Sequence, residues 1–310
     1  MEYNLKKLAP IILFTYNRPW HTRQTIEALQ KNTLADQSDL IIYSDAPKDK
    51  SAIELVNQVR VHIKNIKGFK SLKVIERSEN WGLAKSIISG VTEVIEEYDK
   101  VIVLEDDIVT SPAFLSFMNQ SLNYYKSNEK VWHVSGWTYP IENISEEDVY
   151  FWRVMNCWGW ATWQDKWQHF QKDTYHLIDN FSKNMVRDFD LDNSGIFWSQ
   201  VLDNKQGKID TWAIYWYATI FLNQGLCLNP TQSYVRNIGL DGSGENCGLE
   251  TRYSTDILNN LEIPIFIDRQ IENNAAVRHI IEYYKNMRMP LNLRLRNKII
   301  KSVKTLTSFR

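Results

Sequence analysis

Three adjacent carboxylates are the sequence feature that points most directly to chemistry. Glu105-Asp106-Asp107 follows residues 100–104, an apolar run that predicts a buried strand. Neighbouring carboxylates repel one another, so grouping them costs stability unless a cation neutralises them. Mg²⁺ and Mn²⁺ take oxygen ligands of this kind and usually share them with substrate phosphates. The triplet therefore predicts a divalent metal site, with a solvated surface loop as the alternative.

Strands and helices alternate over the part of the chain that leads to this triplet. The apolar runs predict four strands, at residues 10–14, 40–43, 72–75 and 100–104. Between the strands the sequence predicts three helices, one capped by Thr22 and two over residues 53–63 and 81–97. Such alternation is typical of parallel βαβ units, so we expect an α/β fold.

Polar residues follow each of these predicted strands. They are Asn17 and Arg18, Asp45, Asn80, and the acidic triplet. Open parallel sheets bind their ligands at the carboxyl ends of the strands, where these residues would converge. We therefore predict a nucleotide-binding half over about residues 8–110.

Aromatic residues dominate the second half of the chain. The sequence has 12 Trp and 15 Tyr, and many of them lie within residues 150–217. They predict either a large core or a sugar-binding cleft whose flat rings stack on pyranose faces. A helix is predicted over residues 114–125, and a strand followed by a turn over residues 131–137. Because no linker interrupts the chain, we expect one domain over residues 1–285, with residues 111–285 as its acceptor-binding half.

Composition sets the broad class of the protein. The chain has 310 residues, of which 44% are hydrophobic and 24% are charged, as expected for a globular protein. Its three cysteines, Cys157, Cys227 and Cys247, are far apart and odd in number, which argues against a disulfide framework and a zinc site. The sequence shows neither a secretory signal nor a run long enough to span a bilayer. We therefore expect a cytoplasmic protein.

Residues 286–310 form a basic, amphipathic tail. Between Lys285 and Arg310 there are eight Lys or Arg residues and no Asp or Glu, and Leu291, Leu295 and Ile299 recur at helical spacing. This pattern is typical of an interfacial helix attracted to anionic lipid headgroups on the inner face of the cell membrane. The alternatives are a helix docked on the protein and a disordered basic end. We expect no nucleic-acid partner, since the rest of the chain is acidic.

Several motifs, in order along the chain, resemble a known enzyme family. Val-Leu-Glu-Asp-Asp-Ile, residues 103–108, resembles the Asp-x-Asp-type motif of GT-A glycosyltransferases, especially the Glu-Asp-Asp of N-acetylglucosaminyltransferase I. Residues 8–250 are similar to bacterial family 2 sugar transferases, with matching segments at residues 10–19, 43–45, 80–86, 158–163 and 237–244. The resemblance implies a Rossmann-like mixed sheet flanked by helices.

The resemblance also implies roles for donor-binding residues. Asp107 would coordinate Mn²⁺ or Mg²⁺ at the diphosphate, and Asp106 would lie against the ribose or a metal-bound water. Asp45 would contact the base, Arg18 would hold the nucleotide end, and Lys85 would lie near the diphosphate. The other donor-binding candidates are Thr15, Asn17 and Glu105.

Simpler interpretations exist for three of these residues. Asp45 precedes Ala-Pro and could open a turn. Arg18 could belong to a structural ion pair, and Lys85 could be a solvated helix residue.

Transfer with inversion needs a base that takes the proton of the acceptor hydroxyl. The segment around Asp210 resembles the one that carries this base in relatives, although some relatives have an Asp where this chain has Ala213. The alternative is that Asp210 caps the helix that runs through Tyr217.

We also expect a loop around Asp241 to close over the site. Relatives often have a histidine near Asn246, so this chain would lack that metal ligand.

The candidate walls for the bound sugars are aromatic. They are Trp137, Trp158 and Trp160, with Gly159 allowing close backbone approach. Core packing is the alternative for each of these tryptophans, and we expect His133 to pack within its strand.

We therefore predict an inverting, metal-dependent glycosyltransferase. Its donor would be a nucleotide-diphosphate sugar, with UDP suggested by the resemblance alone. Its acceptor would be a hydroxyl of a surface polysaccharide or a lipid-linked oligosaccharide. The alternatives are a carbohydrate-binding protein that keeps the fold, and a nucleotidyltransferase. The latter would be expected to carry a Gly-rich phosphate loop, which residues 17–19 do not form.

Overall fold

The computed structural model describes residues 7–244, 252–258 and 264–287. Its strands are β1 Ile11–Thr15, β2 Asp39–Ser44, β3 Ser71–Glu76, β4 Lys100–Glu105, β5 Ile108–Thr110, β6 Val131–Ser135, β7 Val149–Trp152, β8 Trp160–Trp163, β9 Leu226–Pro230 and β10 Val235–Asn237. Its α-helices are α1 Pro19–Gln30, α2 Ile53–Ile63, α3 Gly82–Tyr98, α4 Phe114–Tyr124, α5 Gln164–Trp167, α6 Thr174–Asn180, α7 Lys183–Phe189, α8 Trp198–Lys205, α9 Ala213–Leu222 and α10 Asn274–Met287.

Eight of these strands form one mixed sheet in the order β3-β2-β1-β4-β8-β6-β9-β7. The first four strands of this order are parallel, and β8 then pairs antiparallel with both β4 and β6. The strands β5 and β10 form a second, antiparallel pair. Helices flank the large sheet, so the predicted α/β class and single mixed-sheet architecture are confirmed.

The parallel part of the sheet forms because its central strands are almost entirely apolar. Every residue of β1 is buried, and so are the four residues 101–104 of β4. Strands covered on both faces need such continuous hydrophobic runs. By contrast, β3 lies at the edge of the sheet and leaves Ser71, Lys73 and Glu76 exposed. Each of the four predicted strands is present within one residue of its predicted limits.

One predicted helix start is wrong. The helix α1 begins at Pro19, and Thr22 lies inside it rather than capping it. Proline suits the first helical turn because the missing N–H would have no partner there. The Thr22 hydroxyl instead donates a hydrogen bond of 2.9 Å to the carbonyl oxygen of Arg18. The helix predicted over residues 53–63 is confirmed, and the strand predicted within residues 131–137 ends at Ser135.

Many aromatic residues of the second half form core. Trp152, Trp160 and Trp216 are fully buried. His133 is also buried, and its Nδ1 accepts a hydrogen bond from the Trp216 indole at 3.2 Å, while Nε2 lies 3.0 Å from the carbonyl oxygen of Asn156. These contacts confirm that His133 packs within its strand. Burial lowers the pKa of its imidazole to about 3.

Several predictions concern residues that the structure does not describe. The tail at residues 286–310 lies outside the described residues except for its first two positions, as do Asn246 and Cys247. Neither Cys157 nor Cys227 forms a disulfide within the described part of the chain. None of the helices in the described part of the chain is long and apolar enough to cross a membrane.

Candidate active site

Two cavities meet at the acidic triplet. The small cavity, of about 150 Å³, lies at the carboxyl ends of β1, β2 and β4 and beside the first turn of α3. The aromatic cavity, of about 400 Å³, lies between β4 and the aromatic second half of the chain. Leu83, Glu105 and Asp107 line both cavities. A molecule in one cavity could therefore touch a molecule in the other beside these carboxylates.

Arg18 holds the last two carboxylates of the triplet. Its guanidinium forms an ion pair with Asp106 and a second one, of 2.8 Å, with Asp107. The side chains of Asp106 and Asp107 are only 6% and 8% exposed. The backbone of this turn is also fixed, because the Thr25 hydroxyl donates to the Asp106 carbonyl at 2.8 Å. Arg18 thus takes part in an ion pair, as the structural interpretation of this residue predicted, and it does so inside the site.

Burial and mutual repulsion perturb the triplet. Burial raises the pKa of Glu105, and repulsion from Asp107 and Asp106 raises it further. Burial also raises the pKa of Asp106, although the adjacent Arg18 opposes that shift. In the described ion pairs the Arg18 guanidinium faces two carboxylates, those of Asp106 and Asp107, and Glu105 is a third acidic group beside them. The site is therefore short of positive charge.

Gly239 packs directly against the Asp107 carboxylate. A Cβ atom at this position would lie 2.0 Å from Asp107 Oδ2 and 2.8 Å from Arg18 Nη1, distances at which something must move. The loop is brought here by β10, and the Ile238 amide donates to the Asp107 carbonyl at 2.9 Å. Glycine is therefore required at 239 for close approach rather than for an unusual backbone angle.

The triplet fits a divalent cation by charge and by donor type. Within the described ranges, no group of three or more His, Cys, Asp or Glu side chains is arranged to hold a metal by itself. Cations such as Mg²⁺ often take only one or two carboxylates from the protein and the rest of their ligands from phosphates and water. Asp107 lines both cavities, whereas Asp106 lines only the small one.

Asp45 lines the small cavity and also fastens α3. Its carboxylate accepts hydrogen bonds from the Trp81 and Gly82 amides, each at 2.9 Å, as well as from the Ala46 amide. An anionic acceptor is favourable at the start of a helix, where amide N–H groups lack partners. Asp45 therefore positions the helix that carries Leu83, a role different from the simple turn considered from the sequence.

Of the remaining donor-binding candidates, two line the small cavity and one lies outside it. Thr15 and Asn17 line the small cavity beside Arg18. The Lys85 ammonium instead lies 4.1 Å from the centre of the Trp81 ring and lines a surface groove on the other side of α3. The structure thus brings together all the sequence-predicted donor-binding residues except Lys85.

Arg77 is a cavity residue that the sequence reasoning did not identify. Its guanidinium carbon lies over the Trp81 ring, 3.8 Å from the ring centre, and 5.1 Å from the Tyr43 ring centre. Its Nε and Nη2 atoms are buried and have no hydrogen-bond partner among the described residues. Arg77 directly follows β3 as Asp45 directly follows β2, so its position at a strand end was the available signal.

The structure places the three predicted wall tryptophans in two different environments. Trp137 and Trp158 line the aromatic cavity and pack edge to face, with ring centres 4.8 Å apart. Trp160 is 0% exposed and stacks on Trp212, so it lies in the core behind the cavity. Gly159 lines neither cavity, and a Cβ atom at this position would meet the side chains of Val235 and Phe114, at 3.0 and 3.2 Å.

Asp210 lies at the edge of the aromatic cavity. Its side chain is 75% exposed and forms an ion pair with Lys172. The helix α9 begins at Ala213 with no side-chain cap, so the alternative role of Asp210 as its N-cap is wrong.

The loop after β10 lies on the small cavity. Ser243 and Gly244 line that cavity. The loop is tied to α1 because Asp241 Oδ2 lies 3.1 Å from His21 Nε2. Hydrogen bonds from the Ser243 hydroxyl and amide lower the pKa of Asp241 to about 2, so its carboxylate is ionised at neutral pH.

Comparisons with known proteins concern the fold. No protein-family model matches this sequence, and the search among curated proteins found no relative. The chain is similar to the structure of S. aureus TarS, with a TM-score of 0.44 and 10% identity over 74% of this chain and 36% of TarS. It is also similar to the mannosyltransferase PcManGT from Pyrobaculum calidifontis, solved with GDP-Man and Mn²⁺, with a TM-score of 0.42 and 9% identity over 71% of this chain and 70% of that one. The alignment thus spans about a third of TarS.

Proposed function

We propose that this chain transfers a sugar from a nucleoside-diphosphate sugar to a hydroxyl group of an acceptor. The supporting observation is the meeting of two cavities of different character at Glu105 and Asp107. Transfer between two substrates needs their reacting atoms in contact and shielded from water. A nucleotide in the small cavity would direct its diphosphate toward the triplet, and an acceptor in the aromatic cavity would approach from the other side.

The small cavity offers groups suited to a nucleotide. The unpaired N–H groups of Arg77 would donate to the carbonyl oxygens of a base, and the guanidinium of Arg18, which is paired with the triplet, would lie at the diphosphate end. Asp45 already accepts three backbone N–H groups, and it also lines this cavity. We propose that its carboxylate also accepts an N–H of the base. UDP is the proposed nucleotide because the sequence resemblance favours it.

The triplet would hold Mn²⁺ or Mg²⁺ through Asp107, with Asp106 beside it. A divalent ion there supplies positive charge to the diphosphate as it leaves. Arg18 would remain close to the same phosphates, because it is anchored by the carboxylates that flank them.

Asp210 is the proposed base of an inverting reaction. Its carboxylate lines the aromatic cavity and would take the proton of the acceptor hydroxyl as that oxygen attacks the anomeric carbon. The ion pair with Lys172 keeps the side chain at the cavity edge. A surface polysaccharide or lipid-linked acceptor, and membrane binding by residues 286–310, are proposed from the sequence alone.

The test is release of UDP from a panel of UDP-sugars, measured with and without Mn²⁺. We expect Mn²⁺-dependent release that Asp107→Asn abolishes. The matched control is Asp36→Asn, since Asp36 is exposed and lines neither cavity. Absence of turnover with every nucleotide sugar, together with glycan binding, would favour the carbohydrate-binding alternative. Release of pyrophosphate from a nucleoside triphosphate and a sugar phosphate would favour a nucleotidyltransferase.

A further inference from the structure

The charged residues that line the aromatic cavity are all acidic. They are Glu105, Asp107 and Asp210, and no Lys or Arg is among the described residues of the lining. Lys172 pairs with Asp210 from the surface groove and Arg18 pairs with Asp107 from the small cavity, and neither cation lines the aromatic cavity. Because like charges at short range are costly to bring together, an anionic group would be disfavoured in this cavity.

The rest of the lining is rich in aromatic residues. It includes Trp137, Tyr139, Trp158, Phe197, Trp212 and Tyr253. The volume of about 400 Å³ lies within the range of small-molecule sites. Rings of this kind bury the apolar C–H face of a sugar while leaving its hydroxyl groups free for hydrogen bonds. The cavity therefore suits a saccharide better than a purely polar molecule.

Trp137 adds a specific donor to this lining. The residue is 2% exposed, and its indole Nε1 is buried without a hydrogen-bond partner among the described residues. Buried donors are nearly always paired in folded proteins, so this one calls for an explanation. Two neighbouring hydroxyls are satisfied by each other, since Tyr139 and Tyr284 are hydrogen-bonded at 2.7 Å. An oxygen of a bound molecule would pair the Trp137 N–H.

We propose that the aromatic cavity binds an uncharged saccharide unit of the acceptor, and that the Trp137 indole N–H donates a hydrogen bond to one of its oxygens. That the saccharide belongs to the acceptor of a transfer reaction rests on the proposed function. It excludes uronic acids and sugar phosphates from the unit that occupies the cavity.

The test measures binding, so that it does not depend on transfer. With UDP and Mn²⁺ present, the methyl glycosides of glucose, galactose, mannose and N-acetylglucosamine are titrated and followed by saturation-transfer NMR. The methyl glycosides of glucuronic and galacturonic acid are the charged counterparts. We expect at least one neutral glycoside to bind, and its uronate to bind at least about tenfold more weakly.

Two variants test whether the glycosides bind in the aromatic cavity. Trp137→Phe keeps an aromatic ring but removes the N–H, and should weaken neutral glycoside binding by about tenfold. Gln200→Lys adds a cation to the lining from α8, and should raise uronate binding relative to the neutral glycoside. This second variant also tests the charge argument if Trp137→Phe fails to fold.

Three outcomes would overturn the inference. They are a uronate that binds as tightly as its neutral counterpart, no binding by any neutral glycoside of the panel, and unchanged binding in a folded Trp137→Phe protein. UDP release without acceptor reports separately on the proposed function. Neutral glycoside binding without any UDP release would therefore refute the transferase while leaving the cavity's preference standing.

Discussion

Replacing Gly239 with alanine tests whether the position of the Asp107 carboxylate controls donor binding. The added Cβ would lie 2.0 Å from Asp107 Oδ2, about 1 Å closer than real Cβ atoms come to other heavy atoms. Backbone holds the loop in place, through the Ile238 amide and the pairing of β10 with β5. We therefore expect the carboxylate, rather than the loop, to move.

The size of the effect follows from that displacement. Moving a catalytic or ligand group by about 1 Å costs about 100-fold, which corresponds to about 2.7 kcal/mol. The movement also breaks the 2.8 Å bond between Asp107 and Arg18, and such charged hydrogen bonds contribute about 1.5–3 kcal/mol to stability. Gly239→Ala should thus weaken Mn²⁺–UDP binding by about 100-fold and lower the free energy of unfolding by a similar amount.

Calorimetric titration of UDP in the presence of Mn²⁺ measures the first quantity, and urea denaturation without metal measures the second. The control is a double-mutant cycle with Asp107→Ala, followed by urea denaturation because that variant is expected to lose Mn²⁺–UDP binding. In that background the methyl group no longer meets the carboxylate, so Gly239→Ala should lower the free energy of unfolding much less than it does alone.

The reasoning would be refuted by a Gly239→Ala protein that binds Mn²⁺–UDP within twofold of the parent and unfolds at the same urea concentration. Equal costs of Gly239→Ala with and without the Asp107 carboxylate would also refute it.

Four further predictions concern single residues. Arg18→Gln leaves buried carboxylates without their cation, so the metal-free protein should lose about 3–5 kcal/mol in urea denaturation, and Mn²⁺ should restore part of it; no loss would contradict the pairing. Arg77→Gln should weaken UDP binding by about tenfold in calorimetry, since it removes free donors from the small cavity; unchanged affinity would exclude the contact. Asp210→Asn should keep Mn²⁺–UDP affinity and lower sugar transfer by about 100-fold or more; full transfer would show that the base lies elsewhere. His133 should make the protein acid-sensitive. Its folded pKa of about 3 is below the ordinary 6.5, so its contribution to stability is complete above pH 6.5 and is lost as the pH falls toward 3. His133→Gln should flatten the fall of the urea midpoint between pH 6.5 and 4.5, and an unchanged slope would contradict this.

The nucleotide-binding half could be predicted closely because its signals are local. A parallel strand buried on both faces must be a continuous apolar run, and polar residues mark where it ends. For this reason β1, β2 and β4 begin and end within one residue of the predicted limits. The gathering of Arg18, Asp45 and the triplet in one cavity follows from the same rule, since parallel strands end at one edge of the sheet.

The aromatic half could be predicted only in outline because its strands pair with segments that are distant in sequence. The strand β8 is inserted between β4 and β6, and no local pattern specifies that order. Trp158 lines the aromatic cavity, whereas Trp160, two residues later, lies in the core. Both environments are aromatic, so residue type does not separate them. The approach of Gly239 to Asp107 likewise depends on the pairing of β10 with β5.

The two cavities differ in the charged groups that line them. The small cavity is lined by the guanidinium groups of Arg18 and Arg77 as well as by Asp45 and the triplet, whereas the charged side chains in the described lining of the aromatic cavity are all carboxylates. Among the described residues, a diphosphate would therefore find cationic partners only in the small cavity, whereas a neutral saccharide needs none. The two proposed substrates would thus be directed to different cavities by charge before shape selects between them. An anionic acceptor would compete with the donor for the two guanidinium groups, so the neutrality of the acceptor and the separation of the two sites depend on the same charge arrangement.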